Sequence, residues 1–352
     1  MKVSIGTKIK DGPWGGGNLF AINLTNYLIK KGHQVVYNLN DDDIDIILIT
    51  EPRRTSESSA FTHFDVENYL KYIKSDSLVV HRINECDERK NTNYVNKYLI
   101  QANSIADATV FVSSWLSKLY TSQGIDGRKN NVILAGADSN IFNNANYKKW
   151  DKNTELRIVT HHWGANWNKG FEIYKLLDDL LINESYNKRF KFTYIGNLPD
   201  KFTFNNTEVI APLSGVKLAE EIKKNHIYLT GSLNEPSGNH HIEGAQCGLP
   251  LLYINSGGIP EYCNGFGVKF DKHNFVDKLN DLSKNYEMYL KRIEKYPFSS
   301  EKMCFEYESL FNELITKKED LLNKRKFTSK SSKMGKFMYK SVKKIKSYNT
   351  NS

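Results

Sequence analysis

The sequence predicts an α/β protein of two doubly wound, Rossmann-like domains facing across a cleft, followed by a basic tail. Three observations carry that prediction. Short runs rich in β-branched and aliphatic residues alternate with helical patterns, the arrangement that builds a parallel sheet covered on both faces. The alternation pauses at residues 145–154, a polar stretch rich in Asn and Lys, and then starts again. At 352 residues, 39% hydrophobic and 25% charged, the chain is also large enough for each half to bury its own core without disulfides or metals.

Residues 2–7 read as a strand and lead into the loop Asp11-Gly-Pro-Trp-Gly-Gly-Gly17. Leu19, Ile22, Leu24, Leu28 and Ile29 then recur at roughly helical spacing until Gly32 stops the pattern. Strand-like runs follow at 34–37, 45–50, 77–83 and 108–112, with helical patterns at 93–105 and 115–123. The second half offers strands at 156–160, 190–195, 226–230, 251–254 and 268–270, and a helix at 171–181. The expected domains are residues 1–148 and 149–323, with the last helix packing back on the first domain, and 324–352 as the tail. Ligands of such sheets sit at the carboxyl ends of the strands, so a cleft between two of them is the natural pocket.

The formal charge of +9 is uneven. Residues 324–352 carry ten Lys or Arg and no Asp or Glu, which leaves residues 1–323 at about −1. A fold that reads nucleic acid normally carries its basic patch on the folded part, so no nucleic-acid partner is expected. In the tail, Met334, Phe337, Met338, Val342 and Ile345 recur at helical spacing among lysines. That pattern fits a basic amphipathic helix on an anionic membrane, or a disordered lysine-rich end. The opening Met-Lys-Val-Ser-Ile-Gly turns polar too soon for a signal peptide, and no apolar run approaches a bilayer span. The expected location is cytoplasmic, with peripheral contact on the inner membrane face through the tail. Cys86, Cys247, Cys263 and Cys304 form no Cys-x-x-Cys pair and are expected as reduced thiols.

No metal is expected either. Asp41-Asp-Asp43-Ile-Asp45 contains an Asp-x-Asp, but it precedes an apolar strand instead of ending one, so a solvated loop is the reading. His161-His162 and His240-His241 lack carboxylates at ligand spacing.

Two segments carry chemistry. Gly15, Gly16 and Gly17 let backbone approach a ligand, and the helix opening near Asn18 favours an anion; a tight surface turn explains them equally well. With Gly15 and Gly17 in place, a dinucleotide fingerprint would need glycine at Phe20, and no Gly-Lys-Ser/Thr follows. The second segment is Gly231-Ser-Leu-Asn-Glu-Pro-Ser-Gly-Asn-His-His-Ile-Glu-Gly-Ala-Gln-Cys-Gly-Leu-Pro250. A strand feeds this loop, Asn239 is the expected N-cap, and the helix ends at Gly248 before Pro250. Glu235 ahead of the helix and Glu243 in its first turns could bracket a ligand. The amides of Gly238 and Asn239 would face a diphosphate, while the carboxylates accept bonds from sugar hydroxyls.

The run Glu235-Pro-Ser-Gly, then Glu243, Gly248-Leu-Pro250 and Gly257-Gly-Ile-Pro-Glu261 resembles the donor-site signature of group 1 (family 4) retaining glycosyltransferases of the GT-B fold. The glycine loop with Gly32-His33-Gln-Val, Ser113-Ser-Trp115, Ala135-Gly-Ala-Asp-Ser-Asn-Ile-Phe142 and Asn168-Lys-Gly170 are similar to the same family. The resemblance spans about residues 1–315.

The resemblance implies a donor site for a UDP- or GDP-linked sugar, with no other cofactor. Glu243 would hold the ribose diol and Glu235 the donor sugar hydroxyls. Lys169 would neutralise the departing diphosphate, helped by amides of Gly15, Gly16, Gly17, Gly238 and Asn239. His81 is similar to the family's histidine beside the transferred sugar, though a histidine there also suits a satisfied core position. The nucleobase would lie near Pro199 and residues 211–213, and the acceptor, a glycan, lipid-linked molecule or protein, near 51–63. One position departs: the family's arginine five residues before the lysine is Gly164 here. His161, His162 or Arg82 could supply that charge, or the chain is a degenerate member. A nucleotide-sugar epimerase and an inert membrane-bound scaffold are the alternative functions of the same fold.

Overall fold

The computed structural model describes residues 1–10 and 15–325 of the chain. The first domain holds strands β1 (Lys2–Ile5), β2 (Gln34–Val36), β3 (Ile46–Ile49), β4 (Leu78–Ile83), β5 (Ala108–Phe111) and β6 (Asn130–Val132). They form one parallel sheet in the order β2-β1-β3-β4-β5-β6. Its helices are α1 (Gly16–Lys30), α2 (His63–Tyr72), α3 (Asp87–Lys90), α4 (Val95–Asn103) and α5 (Ser114–Ser122).

The second domain repeats the plan with β7 (Leu156–His162), β8 (Phe190–Gly196), β9 (Glu208–Ile210), β10 (Ile227–Thr230), β11 (Leu251–Ile254) and β12 (Gly267–Phe270). Their order is β12-β11-β10-β7-β8-β9, again all parallel. Helices α6 (Phe171–Leu180), α7 (Glu184–Asn187), α8 (Gly215–Ile222), α9 (Asn239–Gln246), α10 (Ile259–Cys263), α11 (Phe275–Lys284) and α12 (Tyr286–Ile293) complete it. Two further helices close the chain, α13 (Ser300–Thr316) and α14 (Lys318–Lys324).

The central strands are apolar throughout because both faces are covered. In β3 and β4, Ile46, Leu48, Leu78 and Val80 join the core under α1, while Ile47, Ile49 and Val79 join the core under α2. Alternate residues thus feed opposite layers, as strand geometry requires. The structure departs from the sequence reading at three strands. β7 runs on through His161 and His162, pairing with β8 as far as Gly196. β6 and β9, three residues each and partly exposed, lie at sheet edges and carry no apolar alternation to announce them.

The two domains meet at paired crossovers. Ser300 N–H donates to the Ala137 carbonyl at 2.7 Å, and a side chain at Gly136 would collide with the Ser299 carbonyl. From there α13 lies on α1: Met303, Tyr307, Phe311 and Leu314 share a core with Phe20, Leu24 and Leu28. Beyond α14, Arg325 anchors the chain. Its guanidinium meets Asp107 at 2.6 and 3.0 Å and donates to the carbonyls of Ser75 and Ser77. Arg325 therefore belongs to the folded body; the expected membrane helix falls on 326–352, outside the described residues. Among the described residues no helix is long and apolar enough to cross a membrane. All four cysteines are free and buried.

Across the cleft the Glu261 carboxylate accepts bonds from the Ser114 amide and hydroxyl, both at 2.7 Å, and Tyr262 donates to the Val112 carbonyl. The domains are thus held together at the floor of the cleft.

Candidate active site

The carboxyl ends of β7, β10 and β4 deliver three loops to one place, as doubly wound sheets do. After β7, a single turn of 3₁₀ helix (Trp167–Lys169) ends on Gly170, whose φ of 105° suits glycine alone. A Cβ there would come within 2.7 Å of Gly231, so glycine lets this loop press against the loop after β10. The two are tied: Leu233 N–H donates to the Asn168 carbonyl at 2.8 Å, and the Ser232 hydroxyl to the Lys169 carbonyl at 3.0 Å.

Glu235 is braced from behind. Asn234 sits at a positive φ of 51°, a conformation that costs energy for a non-glycine residue. Gly258 N–H donates to the Glu235 carbonyl at 2.8 Å, and at Gly257, with φ 61°, a Cβ would meet the Glu235 backbone at 2.6 Å. The Gly257-Gly-Ile-Pro-Glu261 motif is therefore the clamp that fixes Glu235.

The Glu235 carboxylate takes one cation from each domain. Lys169 Nζ lies 2.7 Å from Oε2, and Arg89 Nε, on α3 of the first domain, 3.0 Å from Oε1. Glu235 is 6% exposed in its side chain, and burial alone would raise its pKa. The Arg89 and Lys169 charges outweigh burial and hold it down at about 2. Burial draws the Lys169 ammonium down, and Glu235 opposes that shift.

Glu243 lies on α9 behind this pair. Gly244 lets α9 lie flat on the Tyr228 ring, where a Cβ would come within 2.1 Å of it. The Tyr228 hydroxyl accepts the His161 amide at 3.1 Å and pairs with His161 Nδ1 at 2.9 Å; His161 Nε2 reaches Glu243 Oε2 at 2.8 Å. In the neutral ring the tyrosine donates to Nδ1, which leaves the proton on Nε2 to donate to Glu243. Burial pushes the Tyr228 hydroxyl well up, so it stays protonated.

The other histidines pack beside them. His162 Nε2 pairs with the Tyr174 hydroxyl at 2.7 Å, and His240 Nε2 with the Thr230 hydroxyl at 2.7 Å. Burial holds the pKa values of His162 and His240 well below the usual imidazole range, and that of His241 at about 3. Neither His241 ring nitrogen has a hydrogen-bond partner. Among the described residues no group of three or more His, Cys, Asp or Glu is arranged to hold a metal ion.

The expected cap at Asn239 is corrected. Gly238 is the N-cap, at φ 84°, because the His240 and His241 rings occupy the space a Cβ would need, at 2.8 and 2.7 Å. Asn239 is the first helical residue, and its side chain faces the first domain: a Cβ on Gly16 would lie 3.1 Å from its amide. Gly15, at φ 78°, caps α1, and nothing lies within 4 Å of where a Gly17 Cβ would point. The glycine loop and the α9 N-terminus thus face each other across the cleft.

The structure brings together Lys169, Glu235 and Arg89, and sets Gly16 against Asn239, with Glu243 on the same helix. His81 stands apart from them in its bonding. It is fully buried in β4, its Nδ1 meets Asn103 at 3.1 Å, and its Nε2 has no partner. Burial holds its pKa at about 3, so it is neutral. Arg82 is buried against the Phe20 ring at 4.0 Å. Arg89 was not anticipated from sequence. The signal available was its place just beyond the carboxyl end of a predicted strand.

No protein-family profile and no curated protein matches the chain. Solved structures do. A glycosyltransferase from Rickettsia africae aligns over 89% of this chain and 98% of its own, with 15% identity and a TM-score of 0.63. The catalytic domain of starch synthase IV from Arabidopsis thaliana, bound to ADP and acarbose, aligns over 90% and 99% at 12% identity and 0.64. HepE of Anabaena, in complex with UDP-glucose, aligns over 90% and 99% at 11% identity and 0.62. Two six-stranded parallel sheets in this arrangement are the GT-B architecture, and the likeness at these identities is one of fold.

Proposed function

We propose that the chain is a glycosyltransferase that moves a sugar from a nucleoside-diphosphate donor, UDP- or GDP-linked, to a glycan, lipid-linked or protein acceptor with retention of configuration. The observation that carries the reading is the convergence at Glu235. A carboxylate fixed by a glycine clamp meets Lys169 at 2.7 Å and Arg89 of the first domain at 3.0 Å, where the two domains face each other. In this reading Glu243 holds the ribose diol and Glu235 the hydroxyls of the donor sugar. Lys169 and the amides of Gly15, Gly16, Gly17, Gly238 and Asn239 stabilise the departing diphosphate. His81, neutral in β4, is the histidine that this reading sets near the transferred sugar.

Chemistry of this kind is mainly electrostatic. Fixed N–H dipoles and a buried ammonium act strongly where water is excluded, and they need no reorganisation as charge develops. Lys169 takes the part a divalent ion plays elsewhere, so turnover is expected to persist in EDTA. The three solved structures named above, two of them with a nucleotide or nucleotide-sugar bound, support the reading at the level of architecture.

The test is thermal unfolding with UDP, GDP, ADP and CMP, on wild type and Glu243→Ala. A ligand at 100 times its Kd stabilises by about 2.7 kcal/mol. One diphosphate is expected to raise the melting temperature of wild type and to leave the variant unmoved. Equal shifts in both proteins remove Glu243 from the site, and no shift from any nucleotide removes the function.

A further inference from the structure

We propose that Arg89, supplied by the first domain, is the second cation for the donor diphosphate and takes the place left empty at Gly164. The inference rests on the donor-site reading above and names a residue that the reading lacks.

Position 164 is open. The single heavy atom within 4 Å of where its Cβ would lie is Lys169 Cε, at 3.9 Å. A cation there would sit beside the ammonium, and the chain offers none. Arg89 reaches the same spot from across the cleft. Its Nε and the Lys169 Nζ face the two oxygens of one carboxylate, at 3.0 and 2.7 Å, so both charges converge on a single anion-sized volume.

The guanidinium is also incompletely used. Nη1 donates to Glu85 at 3.1 Å. Nε is buried and, although close to Glu235, makes no aligned hydrogen bond. Nη2 has no protein partner among the described residues. Two of the three nitrogens can therefore turn to phosphate oxygens, and a planar fork suits them.

The segment that carries Arg89 is built to hold it. Asp87 accepts bonds from the Thr92 hydroxyl at 2.5 Å and from the amides of Val95 and Asn96 at 2.9 and 3.0 Å. Across the cleft, Asn168 donates to the Arg89 carbonyl at 3.3 Å and Asn234 to the Glu88 carbonyl at 3.2 Å. Those asparagines adjoin Lys169 and Glu235. The charge is thus delivered across the domain interface. Of the other candidates, His161 is held by Glu243 and His162 by Tyr174, while Arg82 is buried in β4 against the Phe20 ring, its Nε without a hydrogen-bond partner, and makes no contact with the Lys169–Glu235 pair.

The experiment is calorimetric titration of the full chain with UDP, GDP, ADP and the matching monophosphates, for wild type, Arg89→Gln and Arg89→Gln/Gly164→Arg. Gly164 is outside the left-handed region, so it admits arginine. Losing charge-assisted bonds to phosphate predicts an affinity for the preferred diphosphate about 10- to 100-fold weaker in Arg89→Gln, with the monophosphate nearly unchanged. The double variant is expected to recover most of that loss, because its arginine returns to Lys169 from the second domain. A structural strut between domains would lose both nucleotides alike and would gain nothing from residue 164. Unchanged diphosphate binding in Arg89→Gln, equal loss of both nucleotides, or no recovery overturns the proposal while leaving the function standing. A wild type that binds no nucleoside diphosphate overturns the function itself, and this inference with it.

Discussion

Tyr228→Phe is the sharpest probe of how Glu243 is positioned. The substitution removes one oxygen and keeps the ring on which Gly244 and α9 rest. The lost hydroxyl serves two partners, accepting the His161 amide at 3.1 Å and pairing with Nδ1 at 2.9 Å, in a strand buried on both faces. A buried polar group left unsatisfied costs about 1–3 kcal/mol. At about 3 °C per kcal/mol for a domain of this size, the melting temperature falls by about 3–9 °C. The functional effect is separable. Without the tyrosine, His161 no longer has Nδ1 fixed as acceptor, and its Nε2–H is not committed to Glu243. Holding Glu243 loosely is expected to weaken nucleotide binding by about 5- to 10-fold, or roughly 1 kcal/mol. Thermal unfolding and calorimetric titration with the preferred nucleoside diphosphate read the two effects. Wild-type affinity in a destabilised Tyr228→Phe would refute the chain from Tyr228 through His161 to Glu243, leaving Tyr228 a packing residue only.

Two further predictions follow from buried charges. The Glu235 carboxyl is held at about 2, against an ordinary 4.5, so its contribution to stability is fully present above pH 4.5 and is lost as pH falls toward 2. Glu235→Gln should flatten the stability curve in that window, and urea midpoints with the same slope in both proteins would contradict the assignment. Asp107 and Arg325 form a pair whose side chains are 3% and 9% exposed, so Asp107→Asn, which strands a buried guanidinium, is expected to cost about 3–5 kcal/mol in urea unfolding. Asp107→Asn/Arg325→Leu should recover part of it, since no unpaired charge then remains.

The parts legible in the sequence are those whose cause is local. Ile46–Ile49 had to be a strand between two layers because nothing in it tolerates water. The two glutamates and the glycines around them could be placed because a strand, a loop and a helix follow one another without interruption from 227 to 246. The rest depends on partners distant in sequence. The expected strand stops at residue 160, yet β7 continues through His161 and His162, whose rings Tyr228 and Tyr174 satisfy. Edge strands β6 and β9 are defined by a neighbour's hydrogen bonds, not by their own side chains. Asn239 has a good capping side chain, but two histidine rings leave room only for glycine at the cap. Arg89 acquires its meaning from Glu235, on the other domain, and no spacing rule connects them.

The pairing of Glu235 with a cation from each domain bears on how a donor would be held. Glu235 is the counter-charge to both Lys169 and Arg89. A buried carboxylate between two cations is tolerated because it is paired on both oxygens, and the same holds for the cations. A diphosphate arriving between them would supply the negative charge that Glu235 now supplies and would free its carboxylate for the hydroxyls of the sugar. Replacing Glu235 by alanine removes the counter-ion as well as the sugar contact. The variant should therefore hold free diphosphate at least as well as wild type while losing transfer, and weaker diphosphate binding would show that Glu235 positions the cations instead of competing for them.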